Sequence, residues 1–262
     1  MRRGLLLSAA IALVACFSTS LSLKAQGRGA PAGPPPPARQ AAPFDPTGYW
    51  VSIIVDEWRF RVTPQKGDIP YLPINADARR IAVAWDPDKE FADGNQCKAY
   101  GAVGVMQRPG RMQISWQDEN TLKMEFDAGT QTRILHFGTA QGPGGQPSWQ
   151  GYSVAQWQTV LRGRGTMQTP ASLPGGTGGG TLKITTGNML PGYIRKNGVP
   201  YSEKAVLTEY VNRLKGSEND DYVVVTAEVE DSTYLNQPFV RTYQFKKQAD
   251  SKGWNPTPCL PR

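Results

Sequence analysis

The amino-acid sequence predicts an all-β protein, an antiparallel β-barrel of about eight strands with one short helix. Apolar and polar residues alternate in several short segments, which is the pattern of half-buried strands. Polar turns and many glycines and prolines, 28 and 22 of 262 residues, separate these segments. Hairpin connections favour a closed barrel or a sandwich, and closure is favoured because it removes exposed strand edges.

The amino terminus has the pattern of an export signal. Arg2 and Arg3 precede an apolar stretch at residues 5–16, which is too short for a membrane span. Ordinary cleavage makes residues 1–25 a signal peptide and predicts a periplasmic or secreted protein. The alternative is an outer-membrane lipoprotein, because the four residues that end at Cys16 fit the lipoprotein box and Cys16 would then carry a lipid anchor.

The cysteine pattern predicts one disulfide in the exported chain. Both processing routes leave Cys97 and Cys259 in the folded part. A pair of cysteines in an oxidising compartment indicates a disulfide, and the alternative is two unrelated buried thiols. The bridge would join positions 162 residues apart. Loop-closure entropy gives such a bridge roughly 4–5 kcal/mol of stability.

Residues 26–46 are predicted to be a linker, and residues 47–262 one β-barrel domain. The linker is rich in Gly, Ala, Pro and Gln, and it cannot bury enough apolar surface to fold by itself. A second glycine-rich stretch, residues 163–180, is predicted to be a long mobile loop. We place this loop inside one domain because strand-rich segments flank it, and neither half closes a sheet alone.

The strands are assigned from aromatic and β-branched content, alternation and turn residues. In the clearest one Leu122, Met124 and Phe126 face one side of the sheet and charged residues face the other. Residues 205–214 also fit a helical stripe with Ser202 as its cap. The predicted strands are residues 49–61, 111–116, 122–127, 130–137, 181–186, 205–214, 221–229 and 238–246.

One helix is predicted between Asn75 and Pro87. Asn75 is a favourable N-cap, and Asp77 lies in the first turn, where an acidic residue is stabilising. An apolar stripe runs from Ile74 to Trp85 with helical spacing. Proline cannot continue a helix, so the helix ends before Pro87.

The first strand opens with Gly48-Tyr49-Trp50, which resembles the Gly-x-Trp signature of lipocalins. In that family the glycine allows a tight entry and the indole closes one end of the barrel. Residues 207–210 and 229–231, followed by Pro238, are similar to a largely uncharacterised lipocalin-like group of environmental bacteria. The resemblance implies a barrel with a cavity for an apolar or amphipathic small molecule. A minority of relatives in this family are isomerases, cyclases or hydratases.

Composition excludes several classes of function. The only histidine is His136, so histidine-based metal sites cannot form, and no metal or cofactor is predicted. Without residues 1–25 the chain has 26 basic and 22 acidic residues, a net charge of +4. These basic residues are scattered, so no nucleic-acid partner is predicted. No membrane span is predicted, and the oligomeric state stays open.

Carboxylates and arginine are the candidates for chemistry in the barrel. Glu125, Asp127 and Arg133 could hold a polar substrate group, with a carboxylate as general base, if their face lines a cavity. On an outward face the same residues form ordinary cross-strand ion pairs. Alternation places His136 on the face opposite Arg133, so these residues do not all belong to one site.

Two further carboxylates are predicted catalytic residues. Asp56 shares one face of the first predicted strand with Trp50 and Trp58, and this face is expected to be inward. Asp56 would then act as an acid, and Trp58 would contact the ligand. Glu209 and Arg213 lie four residues apart and share a face, which makes Glu209 a candidate if that face is inward.

The predicted function is binding of a small hydrophobic or amphipathic molecule in the barrel. Tyr193 and Tyr201 flank a turn at Asn197-Gly198 and are predicted to contact the ligand at the barrel mouth, although a plain hairpin explains them equally. The alternative function is a cofactor-free lyase, isomerase or hydratase that uses the carboxylates and Arg133. A third is sugar binding by exposed indoles, for which the candidates are Trp116, Trp149 and Trp157.

Overall fold

A computed structural model describes residues 35–55, 58–62, 64–138, 145–159 and 180–260. The predicted signal peptide with Cys16, the predicted acid Asp56 and most of the glycine-rich loop lie outside these ranges. The helices are α1 (Trp58–Val62), α2 (Ala76–Ala84) and α3 (Pro87–Ala92), followed by two 3₁₀ turns, Lys98–Tyr100 and Val105–Gln107. The strands are β1 (Gly48–Ile53), β2 (Arg111–Asp118), β3 (Thr121–Phe126), β4 (Gln131–Phe137), β5 (Tyr152–Thr159), β6 (Gly180–Gly187), β7 (Gly192–Arg195), β8 (Val199–Tyr201), β9 (Val206–Lys215), β10 (Asp221–Glu230) and β11 (Phe239–Gln248).

Nine of these strands close into one barrel in the order β1-β11-β10-β9-β6-β5-β4-β3-β2, and β7 and β8 form a separate sheet. Neighbouring strands are antiparallel except β4 and β5, which run parallel with Leu135 opposite Ser153. A closed ring with an odd number of strands cannot alternate direction throughout, so at least one parallel pair is required. The predicted fold class is confirmed as mostly β, with a closed, largely antiparallel barrel and few short helices.

Residues 36–47 cover the barrel end at which β2 turns into β3. The Ala38 N–H donates to Asn120 Oδ1 at 2.9 Å, and the Trp157 indole N–H donates to the Ala38 carbonyl at 2.8 Å. Phe44 packs edge-on against Trp157, with ring centres 5.3 Å apart. We call this the amino-terminal end. The last part of the segment predicted as a linker therefore packs against the barrel.

Helix α1 and the turn Val105–Gln107 cover the opposite end, and together we call them the plug. Val105 and Met106 are each 1% exposed and belong to the barrel core. The Arg61 guanidinium on α1 donates to the carbonyls of Ile53 at 3.1 Å, and of Gln107 and Met106 at 3.3 Å each. Both ends of the barrel are therefore closed by other parts of the chain.

The Gly-x-Trp residues form a tight strand entry and a buried indole. Trp50 is fully buried inside the barrel, and its indole N–H donates to the Pro46 carbonyl at 3.0 Å. Gly48 has a φ of +122°, and a Cβ there would lie 3.1 Å from Cε of Lys247. Glycine is favoured at this position because other residues rarely adopt such a backbone conformation.

The predicted first strand, residues 49–61, is wrong in its second half. Strand β1 ends at Ile53, and helix α1 follows at Trp58–Val62. Trp58 is 62% exposed on that helix, so it does not face the barrel interior beside Trp50. Aromatic residues in a segment this short carry no periodicity that distinguishes a helix from a strand.

The ambiguous segment after residue 204 is strand β9, which pairs with both β6 and β10. The predicted helix is α2, in which Asn75 accepts the Ala78 N–H at 3.0 Å and so caps the first turn. Helix α3 has no counterpart among the predicted elements. Its start nevertheless carries a sequence signature, because Asp86 is the cap and Pro87 occupies the first helical position.

Cys97 and Cys259 form a disulfide with Cα atoms 5.1 Å apart, which confirms the predicted pairing. The final segment of the chain is also hydrogen-bonded to the turn between β3 and β4. The Thr257 N–H donates to the Asp127 carbonyl at 2.8 Å, and the Thr130 hydroxyl donates to the Thr257 carbonyl at 2.9 Å. The bridge therefore ties the carboxyl-terminal segment to the barrel end that carries the plug.

A charged cluster closes the β9–β10 hairpin at the amino-terminal end. The Asp221 carboxylate is 6% exposed and accepts from Arg213 Nε and from Lys215 Nζ, both at 2.9 Å. Burial raises the pKa of Asp221, but the hydrogen bonds and charges of Arg213 and Lys215 outweigh burial, so the pKa is lowered.

Replacing Asp221 with asparagine is expected to lower the free energy of unfolding by about 2 kcal/mol near neutral pH. The folded pKa lies below the unfolded value, so the carboxylate contributes stability above the unfolded pKa and loses it as pH falls through the folded pKa. Urea unfolding between about pH 7 and about pH 2 should show the difference from wild type shrinking with acid. The exposed Asp250→Asn is the control. A difference that is constant with pH would contradict this prediction.

Candidate functional site

A buried ion pair crosses the interior of the barrel. Arg133 lies on the inward face of β4 and Glu209 on the inward face of β9, and their side chains are 0% and 1% exposed. Arg133 Nη1 donates to Glu209 Oε1 at 3.0 Å, and Nη2 donates to Oε2 at 2.6 Å. This two-pronged geometry is the strongest arrangement of a guanidinium and a carboxylate, and it neutralises both charges away from water.

Two hydroxyls extend this ion pair along the barrel wall. Thr186 Oγ1 on β6 accepts from Arg133 Nη2 at 3.2 Å and lies 2.8 Å from Ser153 Oγ on β5. Ser153 and Thr186 are directly opposite in the β5–β6 register, so strand alternation brings both inward together. We call Arg133, Glu209, Thr186 and Ser153 the polar layer.

Small side chains surround the polar layer. Ala227 on β10 lies directly opposite Glu209, and Ala155 is the next inward residue after Ser153 on β5. Both alanines are buried. Ser153 and Thr186 are small as well, whereas the long side chain of Arg241 on β11 lies directly opposite Ala227 at the same level.

Tyr243 faces inward from β11 and connects the polar layer to the plug. It is 4% exposed, and the Arg61 guanidinium lies 5.6 Å from the centre of its ring. Burial raises the pKa of the Tyr243 hydroxyl, and the charges of Arg61, Arg241, Glu209 and Arg108 all act on that hydroxyl. The plug end of the barrel is therefore rich in arginine.

Arg108 follows the turn Val105–Gln107 and is 5% exposed. Its Nε and Nη2 are buried, and no hydrogen-bond acceptor for either lies among the residues described. Burial is the main cause that lowers the pKa of Arg108 to about 10; Tyr100 and Tyr243 act to raise it, and Arg61 acts to lower it. A buried cation without a counter-charge destabilises a fold, so the charge of Arg108 lowers the stability of this protein.

Replacing Arg108 with methionine is expected to raise the free energy of unfolding of the purified protein by about 1–3 kcal/mol. Methionine keeps the buried volume and removes the charge. The folded pKa of Arg108 is below the unfolded value, so the charge destabilises the fold at neutral pH, and this effect shrinks only as pH rises through about 10. Urea unfolding near neutral pH measures the change. The exposed Arg79→Met should stay within about 0.5 kcal/mol of wild type, and a destabilised R108M would contradict the prediction.

The structure brings two of the five predicted catalytic residues together, Arg133 and Glu209 in the polar layer. Glu125 lies on the outer face of β3, where it is opposite Thr132 and pairs with Lys123 at 2.9 Å. Glu125 and Arg133 therefore do not share a face, and the outward alternative applies to Glu125.

Asp127 is buried at the end of β3 and does not reach the polar layer. Its Oδ1 accepts the Arg111 N–H at 2.7 Å, and a Cβ on the neighbouring Gly110 would clash with it. The Asp127 carboxylate therefore stabilises the backbone at Gly110 and Arg111, where β2 begins.

The predicted ligand-contacting tyrosines lie on β7 and β8, outside the barrel wall. The Tyr193 hydroxyl donates to Glu90 Oε1 at 2.6 Å, and burial together with this hydrogen bond raises the pKa of Tyr193. Tyr201 is 1% exposed and packs in the core, and burial raises its pKa too. Neither tyrosine lines an open mouth in this arrangement.

The indoles proposed for sugar stacking are largely engaged in packing. Trp116 and Trp157 both pack on Phe137, with ring centres 5.6 and 5.5 Å apart. The Trp149 indole N–H donates to the Pro191 carbonyl at 3.3 Å. The first two indoles therefore belong to an aromatic cluster at the amino-terminal end.

Three residues near the polar layer are absent from the sequence-based candidates. The sequence does indicate that Tyr243 faces inward, because Tyr243 shares one face of β11 with Phe239 and Phe245. No such indication exists for Arg61 and Arg108, since a five-residue helix and a 3₁₀ turn have no periodicity that would place their side chains.

Within the described ranges no helix is long and apolar enough to cross a membrane. The same part of the chain holds no group of three or more His, Cys, Asp or Glu side chains placed to bind a metal ion.

Comparison of the chain with protein-family models, curated proteins and solved structures gave no match. The lipocalin resemblance therefore stays a prediction. What stands is a closed, mixed, nine-stranded β-barrel that contains the polar layer.

Proposed function

We propose that this protein is an exported binding protein that holds a small hydrophobic or amphipathic molecule inside the barrel, beside the polar layer. The observation that carries the proposal is the bidentate Arg133–Glu209 pair, fixed on the inner wall among apolar and small side chains. Small-molecule sites in proteins are mostly apolar with a few fixed polar groups that set orientation. The export signal at residues 1–25 supports the extracytoplasmic location.

The dimensions of the barrel are compatible with one small ligand. A barrel of about eight strands encloses space that side chains fill or that one small molecule occupies. The small residues Ser153, Ala155 and Ala227 lie beside the ion pair, and the proposed ligand binds against them. The plug covers the barrel end opposite the amino-terminal end. The proposed ligand therefore enters at that end when α1 or the turn Val105–Gln107 is displaced.

The test is isothermal titration of the purified protein with decanol, with decanoate and with a neutral oligosaccharide. We expect one decanol or decanoate per chain and no heat from the sugar. Ala227→Leu, which adds side-chain volume directly opposite Glu209, should weaken binding at least about tenfold. The matched control is Thr226→Leu, because residue 226 faces outward on the same strand.

Overpacking costs about 1–3 kcal/mol, so circular dichroism must show that A227L remains folded. If A227L unfolds, Ser153→Val serves as the second interior variant. Absence of stoichiometric binding by wild type, or equal affinity in the interior and control variants, would contradict binding inside the barrel.

The second candidate function is a cofactor-free lyase, isomerase or hydratase, favoured by the charged groups that face the interior. Glu209 would act as base and Arg133 would stabilise negative charge. Both Glu209 oxygens accept from Arg133, however, so the pair must open before either group reaches a substrate. Recovery of bound ligand distinguishes the functions, because a binding protein returns its ligand unchanged.

A further inference from the structure

We propose that the ligand is an amphiphile with a single carboxylate head group, and that Arg108 is the counter-ion of that carboxylate. This inference rests on the proposed function and specifies the chemical class of its ligand. It is carried by the two unoccupied buried donors of Arg108 at the plug end of the barrel.

The two unoccupied donors are Nε and Nη2. These N–H groups lie on the same edge of the planar guanidinium and point in the same direction. Two parallel donors on one edge match the two oxygens of a carboxylate, which is the bidentate arrangement already present between Arg133 and Glu209. A neutral head group such as a hydroxyl would satisfy at most one of them well and leave the charge unpaired.

The protein supplies no carboxylate for this edge of Arg108 within the described ranges. Each buried carboxylate there has another partner: Asp127 with the Arg111 N–H, Glu209 with Arg133, Asp221 with Arg213, and Asp231 with Ser202. Arg108 thus differs from Arg133, whose charge Glu209 neutralises. It also differs from Arg61, whose guanidinium donates to three backbone carbonyls.

The position of Arg108 connects the head-group site to the barrel interior. Arg108 directly follows the turn Val105–Gln107, and Val105 and Met106 of that turn belong to the core. The charges of Arg108 and Glu209 both act on the hydroxyl of Tyr243, which faces inward from β11. We therefore place the carboxylate at the plug, with its apolar tail directed into the apolar interior. The Nε–Nη2 edge of Arg108 carries one positive charge and two parallel donors, which favours one carboxylate over a doubly charged phosphate monoester.

The experiment compares decanoate with decanol, which share a tail and differ in head-group charge. Titration calorimetry of wild type, Arg108→Met and Arg79→Met gives the ratio of the two affinities. We expect wild type and R79M to prefer decanoate by about 10- to 100-fold. R108M should lose the preference and bind decanoate and decanol with similar affinities. Arg108→Gln, also neutral, replaces R108M if the methionine variant does not fold.

The outcomes separate this inference from the proposed function. If wild type binds decanol and decanoate equally, or if R108M keeps the preference, the carboxylate assignment is wrong while binding in the barrel stands. If wild type binds neither, the proposed function fails and this inference with it. A third titration uses acetate, which has the head group without the long tail. If acetate binds as tightly as decanoate, the site accepts a free small anion, and the proposal of an amphiphilic ligand is wrong.

Discussion

Replacing Arg133 with methionine is expected to lower the free energy of unfolding by about 3–5 kcal/mol, because it leaves the Glu209 carboxylate buried and unpaired. Glu209 is 1% exposed, and its two oxygens accept from the two terminal nitrogens of Arg133. Methionine fills most of the vacated volume, so the expected loss arises from the uncompensated charge and not from a cavity. Equilibrium unfolding in urea measures it.

The double variant R133M/E209M tests this explanation. Removing both charges is expected to restore most of the lost stability, since an apolar pair of similar volume is often as stable as a buried ion pair. Lys123→Met is the control, because Lys123 pairs with Glu125 on the outer face and should change stability by less than about 1 kcal/mol. If R133M behaves like K123M, or if R133M/E209M is as unstable as R133M, the polar layer does not carry the stability assigned to it.

R133M and R108M are expected to change stability in opposite directions although both remove a buried arginine from the same end of the barrel. Arg133 has a carboxylate partner inside the protein, whereas the Nε and Nη2 donors of Arg108 have none among the described residues. Stability therefore distinguishes an arginine paired inside the protein from one without an internal counter-charge. The proposed binding role of Arg108 would account for an arginine at this unfavourable position, since functional positions are often retained at a cost in stability.

Strand alternation in the sequence predicted much of the barrel wall and part of the polar layer. In β4, Arg133 shares its face with the apolar residues Leu135 and Phe137, so alternation indicates an inward Arg133, although the sequence-based candidates group it with Glu125 and Asp127. The grouping of Arg133 with Glu125 failed because the turn at Ala128-Gly129 sets the register of β4 on β3. That register places Glu125 opposite Thr132 on the outer face, as the apolar alternation of Leu122, Met124 and Phe126 in β3 also indicates.

Strand β5 is missing from the predicted elements although its residues alternate. Ser153, Ala155 and Trp157 face inward, but two of the three are small, so the apolar signal of that face is weak. Of these residues, Ser153 belongs to the polar layer and Ala155 lies beside it. The parallel pairing of β5 with β4 was also beyond local patterns, because it depends on closing a ring of nine strands.

The plug could not be derived from the sequence for a different reason. Its position depends on hydrogen bonds from one side chain, Arg61, to three carbonyls in two separate segments of the chain. Contacts of this kind follow from tertiary packing and produce no periodic pattern in the amino-acid sequence.

The variant C97A/C259A is expected to lower the free energy of unfolding by about 4–5 kcal/mol, because the bridge closes a loop of 162 residues in the unfolded chain. Reduction of wild type with dithiothreitol should cause the same loss, and dithiothreitol should have no further effect on C97A/C259A. These two comparisons separate loss of the bridge from effects of alanine at either position.

The size of that loss also distinguishes a global from a local role of the bridge. If the bridge only holds down the final segment, its removal releases the Thr257 N–H from the Asp127 carbonyl and leaves the barrel unchanged. Hydrogen exchange at Thr257 would then accelerate while the urea midpoint moved by little. If the bridge instead stabilises the whole fold entropically, its removal lowers the urea midpoint of unfolding. Amides in β9 and β10 then exchange faster as well, because exchange from core strands follows global unfolding. A fall of less than about 1 kcal/mol in unfolding free energy would contradict the loop-entropy argument for this bridge.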